Sequence, residues 1–301
     1  MSDRIAAIDC GTNSIKILIG QAPEVLVRES RMVRLGQGVD TTGRLSEDAL
    51  ARTFAAIDEF AEMIRAHDVR RVRFCATSAT RDAANASVFA EGVRARLGVD
   101  PEVLSGAQEA ALAYAGALGH VGQVEGPVLV VDIGGGSTEL VLGHEEPEHA
   151  VSMDIGSVRL HERHLHDDPP DADQLAACRA DIDAHLASCP VPVADAATVI
   201  GTSGTIKTLA AAMLDLPCYD REAIDGAVLG AAETSAYVDR LLEMTVAERR
   251  GIASMHPGRA DVIGAGALIW SRVLAHAAVP TYLVSEGDIL YGIASSLVAH
   301  E

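Results

Sequence analysis

The chain opens with an apolar run, Ile5 to Asp9, that stops on an acidic side chain. A polar turn follows, Gly11-Thr12-Asn13-Ser14, and the apolar pattern resumes from Ile15 to Ile19. Two short apolar runs around a Gly/Asn turn predict a strand, a tight turn and a second strand. Val25–Val27 and Met32–Leu35 add strand material. Ser46 then predicts a helix start: its hydroxyl can cap free N–H groups, and Glu47 and Asp48 place negative charge at the positive end of the helix dipole. Leu50, Phe54, Ile57, Ala61 and Ile64 recur at helical spacing and mark one buried face. Arg73–Ala76 predicts a buried strand, a helix begins near Thr80, Val103-Leu104 ends another strand, and Gly106–Leu118 is an Ala-rich helix.

Gly126-Pro127 breaks the pattern, which then starts again. Val128–Asp132 repeats the strand ending in Asp, Ile133–Thr138 repeats the turn, and Glu139–Leu142 repeats the second strand. Val199-Ile200 and Tyr282–Val284 are further strands, and a last helix runs from about Gly287 to Ala299. A recurrence this far apart is a duplicated domain, not a solenoid period. The boundary is placed between 1–124 and 125–301, and alternating strands and helices predict the α/β class with largely buried sheets.

Composition narrows the function. A hydrophobic fraction of 49% against 22% charged is that of a folded chain, and 301 residues suit two domains. With 24 basic against 43 acidic residues, a net charge of -19, the chain lacks the basic footprint of a nucleic-acid binder. The acid excess is uneven: residues 1–124 hold 14 basic and 16 acidic side chains, residues 125–301 hold 10 and 27. Arg65, Arg70, Arg71 and Arg73 form the densest basic patch, either a solvated helix end or a guide for a polyanion. No apolar run reaches the ~18–20 residues of a membrane helix, and Met1–Asp9 carries no secretory pattern. The five scattered cysteines form no CxxC pair, so a reduced cytoplasm is expected, with neither disulfides nor zinc. His161, His164, His166 and Asp167 lack a fixed ligand spacing and precede Pro169-Pro170, so they read as a solvated loop.

Glycine lets a backbone approach a ligand closely and lets successive N–H groups converge, while small hydroxyls add donors without bulk. Gly11–Ser14, Gly134–Thr138 and Gly201–Thr205 all have this character. A lone example would be a hairpin turn; three of them, two directly after a strand ending in Asp, point to a phosphate chain. None matches GxxxxGK[ST], and Gly134–Thr138 runs into a strand rather than a helix, so neither the P-loop nor the dinucleotide fingerprint applies. The only two lysines, Lys16 and Lys207, each follow one of these loops.

Asp9-Cys-Gly-Thr-Asn-Ser14, Val131-Asp-Ile-Gly-Gly-Gly-Ser-Thr-Glu139 and Gly201-Thr-Ser-Gly-Thr205 resemble the exopolyphosphatase/guanosine pentaphosphate phosphohydrolase (Ppx/GppA) family. Arg34–Gly38, Ala76–Asp82 with Asn85, Ser105–Ala110 and Gly258–Asp261 agree with it. The resemblance implies the actin-like ATPase/sugar-kinase superfold: two duplicated βββαβα-type domains with an interdomain cleft. There are two departures. Longer members continue into a helical domain, so the chain resembles the short, two-domain form. The family's Leu-Arg-Glu-Gly reads Ile289-Leu-Tyr-Gly292, with Leu290 where an arginine is usual.

The resemblance implies a metal-dependent phosphoanhydride hydrolase using Mg2+ or Mn2+. Asp132 is the first metal-ligand candidate, Asp9 supports the first loop or the metal shell, and Glu139 is a second carboxylate aimed at the same cleft, counted with the catalytic groups. Glu109, in Ser105-Gly-x-x-Glu, orients or deprotonates the attacking water. Arg81 binds phosphate oxygens, with Thr77 and Ser78 as added donors. Substrate contacts are expected from Gly11, Thr12, Asn13, Ser14, Gly134, Gly135, Gly136, Ser137, Thr138, Ser203, Gly204 and Thr205. The expected activity is release of terminal orthophosphate from inorganic polyphosphate, with short or medium chains preferred. Hydrolysis of guanosine pentaphosphate, a polyphosphate- or ATP-using kinase, and a catalytically idle phosphate or nucleotide sensor are the alternatives. The family expectation is a homodimer.

Overall fold

The computed structural model describes residues 4–21 and 24–298. Contacts divide the chain into two units: one takes the chain up to Gly116 and again from Ile289 onward, the other takes Ala117–Asp288.

In the first unit β1 (Ile5–Cys10), β2 (Ser14–Gln21) and β3 (Glu24–Met32) form an antiparallel meander. After α1 (Val39–Thr42) and α2 (Glu47–Ala66), β4 (Arg71–Ala76) lies parallel to β1. α3 (Ser78–Arg81), α4 (Ala86–Leu97), β5 (Glu102–Val103) and α5 (Gly106–Val121) follow. The sheet order is β3-β2-β1-β4-β5. β1 is apolar apart from Asp9 because both its faces are covered. Ala6, Ile8 and Cys10 join Ile57, Phe60 and Phe89 on one side, and Ile5 and Ala7 join Leu104 and Ala113 on the other. Ser46 caps α2 as its position predicts, accepting the Ala49 N–H at 3.2 Å. The helix expected from Thr80 is instead two pieces, because Asn85 interrupts it: its amide brackets the Leu45 backbone, accepting from N at 2.8 Å and donating to O at 2.9 Å.

The second unit repeats the order. β6 (Val128–Ile133), β7 (Thr138–Gly143) and β8 (Pro147–Met153) form the meander, and α6 (Ser157–His164), α7 (Ala172–Ala187), β9 (Thr198–Thr202) and α8 (Ser203–Met213) follow. α9 (Arg221–Ile224), β10 (Val228–Gly230), α10 (Ala231–Glu243), α11 (Val246–Arg250), α12 (Ile263–Ala277) and β11 (Thr281–Val284) complete it. The sheet reads β10-β11-β9-β6-β7-β8, which is the first sheet's order with one antiparallel strand added at the edge. The duplication is thus a shared topology.

The division differs from the 124/125 boundary expected from sequence. It falls inside α5, and the last helix, Ile289–Val298, belongs to the first unit. Ala299, the expected end of that helix, lies outside the described residues. The physical reason is its apolar face: Ile289, Leu290, Ile293 and Ala294 pack with Ile5, Ala7 and Leu18. Leu290, the departure from the family pattern, is therefore a core residue. Each such side chain contributes roughly 1.5–3 kcal/mol by leaving water.

Candidate functional site

Each unit carries its glycine turn at the same place, between its first two strands. In the first, Gly11 N–H donates to Ser14 O at 3.0 Å; in the second, Gly134 N–H donates to Ser137 O, also at 3.0 Å. The carbonyls inside the turns are taken up by the segment after the third strand. In the second unit Ser157 N–H donates to Gly134 O at 3.0 Å, Val158 and Arg159 N–H donate to Gly135 O at 2.8 and 3.1 Å, and Arg159 Nε donates to Gly136 O at 2.7 Å. In the first unit Gly36 N–H donates to Thr12 O at 2.8 Å, and Val33 and Arg34 N–H donate to Asn13 O at 3.1 and 2.9 Å. Arg34 adopts a left-handed φ of 51° to do so. With carbonyls bound from behind, the turns are left with N–H groups and hydroxyls to offer an anion. Asn13 sharpens this point: its buried Nδ2 and Oδ1 have no hydrogen-bond partner among the described residues, the condition a bound group or water would satisfy.

In the first unit the ends of β1 and β4 meet at this turn, where Thr77 N–H donates to Cys10 O at 3.2 Å. Arg81, at the end of α3, donates through Nη1 to Leu104 O at 2.9 Å and to Glu109 Oε2 at 3.0 Å. Glu109 sits in the first turn of α5, whose start is fixed by Ser105 and Gln108: Ser105 N–H donates to Gln108 Oε1 at 2.9 Å, and Gln108 N–H to Ser105 Oγ at 3.3 Å. The Ser-Gly-x-x-Glu spacing thus has a local cause, a reciprocal cap that places the carboxylate. Arg81 was expected to bind phosphate; it also clamps Glu109, a contact between segments the sequence does not join. Asp9 is paired with Lys16 Nζ at 3.0 Å. Beside it, burial and then Asp9 push the Cys10 thiol well above its usual range, so it is no nucleophile.

In the second unit Asp132 and Glu139 stand directly opposite each other across the β6–β7 hairpin, so both side chains project from one face. They are 7% and 2% exposed. Ser152 Oγ donates to Glu139 Oε1 at 2.7 Å. No group of three or more metal-binding side chains exists among the described residues. Two carboxylate oxygen donors still suit Mg2+ or Mn2+, which take the rest of their shell from phosphate and water.

Two expected contact residues spend their hydroxyls on the fold. Thr138 Oγ1 donates to Ile155 O at 2.7 Å. Ser203 Oγ accepts from Ile133 N–H at 3.1 Å and donates to Ile133 O at 2.8 Å, with a left-handed φ of 71°. It thereby fixes the backbone next to Asp132. Gly204 has a separate reason to be glycine: a Cβ there would collide with the Arg259 guanidinium, and Thr205 packs on Gly266 in the same way. Arg259 makes no ion pair among the described residues, and burial lowers its proton affinity from the usual value, with Tyr219 acting the other way. A cation lying on this loop suits a phosphate. Arg259 lies in Gly258-Arg-Ala-Asp261, the one sequence signal that could have found it. Lys207 is held instead by Glu286 at 3.4 Å and Asp288 at 3.1 Å. Part of the basic patch is likewise structural, with Arg73 on Glu102 and Arg71 on the Leu297 carbonyl at 2.9 Å. His164 and Arg163 both bind Asp181 at 2.8 Å.

The sequence matches the Ppx/GppA phosphatase family over residues 15–299. It is 44% identical to Exopolyphosphatase 2 of Mycobacterium tuberculosis, over 98% of each chain. A crystal structure described as an exopolyphosphatase-like protein superposes with a TM-score of 0.95 at 41% identity, covering 99% of both chains. A Ppx/GppA family member from Aquifex aeolicus gives 0.82 at 32% identity, covering 99% of this chain and 98% of that one. Among the described residues no helix is long and apolar enough to cross a membrane.

Proposed function

The chain belongs to the Ppx/GppA phosphatase family, and on that premise we propose that it is an exopolyphosphatase, releasing orthophosphate from the end of short or medium polyphosphate chains. The observation that carries the reading is the Glu109–Arg81 pair, a buried carboxylate fixed at 3.0 Å by a guanidinium beside a phosphate-suited turn. Glu109 accepts a proton from water, and that water's oxygen bonds to the terminal phosphorus. The bridging P–O bond breaks, its electron pair leaves with the shortened chain, and orthophosphate departs. Arg81 orients Glu109 and offers its remaining N–H groups to phosphate oxygens. In the first unit the N–H groups of the Gly11–Ser14 turn suit phosphate oxygens; in the second those of Gly134–Thr138 do, with Arg259 adding positive charge at Gly204. Asp132 and Glu139 would hold Mg2+ or Mn2+. When bound, the ion neutralises developing charge on the phosphate oxygens.

The test is phosphate release by the purified chain with Mg2+ or Mn2+ over defined polyphosphates, guanosine pentaphosphate and ATP. Terminal release from polyphosphate is expected. Turnover confined to guanosine pentaphosphate would transfer the assignment to that nucleotide, and saturable binding without turnover would make the protein a sensor. The homodimer is checked by sedimentation of the purified chain.

A further inference from the structure

The two glycine turns are superimposable by register. Asp9 pairs opposite Lys16 across β1–β2, and Asp132 pairs opposite Glu139 across β6–β7. Both aspartates are buried, and both turns close with the same 3.0 Å hydrogen bond. The strands beyond match too, since β4 and β9 each lie parallel to the Asp-bearing strand. At the position facing the aspartate the copies differ in charge: an ammonium in the first stands where a carboxylate stands in the second.

We propose that Lys16 takes the place of a divalent cation in the first unit, so the chain holds one such ion, on Asp132 and Glu139, rather than one per turn. This rests on the reading of the protein as a metal-dependent phosphohydrolase. A carboxylate facing a carboxylate offers lone pairs from both sides to a hard cation. A carboxylate facing an ammonium does not: Lys16 Nζ, 3.0 Å from Asp9 Oδ2, has no lone pair to give and repels a second cation at that distance. The pair is largely shielded from water, with side-chain exposures of 17% and 6%, so this repulsion is poorly screened. The first unit also supplies direct evidence that the position accepts positive charge, because Nζ sits there. Lys16 becomes a fixed cation for the Gly11–Ser14 turn, present whatever the metal concentration. Asp9 then serves to hold Lys16 and is not a metal ligand.

The experiment counts Mn2+ by electron paramagnetic resonance on the full chain, with no substrate present. The wild type should bind one ion. Asp132→Asn should weaken half-saturation by more than the ~10–100-fold typical of losing an outer-shell partner, while Asp9→Asn leaves the ion bound. Lys16→Glu rebuilds the second unit's carboxylate pair in the first. It should gain a second ion, with a thermal midpoint depressed in metal-free buffer and restored by Mn2+. Two ions on the wild type, loss of the ion in Asp9→Asn, or a folded Lys16→Glu chain with no second ion would each overturn the proposal. If Lys16→Glu does not fold, the wild type and the two aspartate variants decide. Phosphate release by the wild type is scored in parallel. Active enzyme with two ions sinks this count alone, while one ion on Asp132 without turnover of any substrate sinks the activity alone.

Discussion

Glu109 is held by two neighbours of different kinds, a local cap at Ser105 and a distant arginine, so its carboxylate is aimed before any substrate arrives. Removing a general base or water-orienting group typically costs ~10²–10⁴ in turnover. Glu109→Ala should therefore lose that much in the initial rate of phosphate release while polyphosphate still binds, because the turns that hold phosphate are untouched. A variant retaining more than about a tenth of wild-type turnover would show that Glu109 has been given the wrong role. Much of this site is legible at the level of single residues. Asp132 and Glu139 face each other because their spacing spans one hairpin, and the Ser-Gly-x-x-Glu pattern encodes its own cap. Arg259 is harder to read: its neighbour is the backbone of Gly204, so only that glycine and the Gly258-Arg-Ala-Asp261 run mark it.

The elements that shape the turns are the ones no pattern of apolar positions reveals. The start of α6 binds the Gly134 and Gly135 carbonyls through backbone N–H groups, which every residue but proline possesses. Its sequence trace is Gly156, where a Cβ would lie 2.5 Å from the Gly135 carbonyl and 2.6 Å from Gly136 N. Gly156→Ala should push the turn off α6, lowering kcat for phosphate release by at least ~10², the cost typical of a small misplacement, with a much smaller change in thermal midpoint. A variant with wild-type kcat would show that the turn tolerates the shift. The strands themselves are legible because β1 and β6 are buried on both faces and carry Asp one residue before their ends. The parallel partners β4 and β9 are chosen by the crossover connections and the sheet twist, which periodicity does not report.

At the scale of the molecule the acid excess decides how far a substrate can extend. Residues 125–301 carry 27 acidic against 10 basic side chains, and Arg71 and Arg73 of the first half are committed to the last helix and Glu102. A long polyphosphate binds largely through cation contacts with counterion release, as nucleic-acid backbones do. The acid excess of residues 125–301 therefore works against binding a long anion, and such attraction and repulsion is screened beyond ~8–10 Å at physiological salt. End-labelled polyphosphates of defined length should therefore give a ladder of intermediates, with short chains turned over at least as efficiently. Complete degradation of long chains before intermediates appear would contradict this. The last helix carries a different consequence, for biosynthesis. Ile289, Leu290, Ile293 and Ala294 cover the face of β1 that bears Ile5 and Ala7, so the first sheet to leave the ribosome is the last to be sealed. At roughly 5–20 residues per second that strand stays half-covered for on the order of 15–60 s, while all of Ala117–Asp288 emerges and folds ahead of it. The nascent chain therefore receives the last element of its first unit only after every residue of its second has been made.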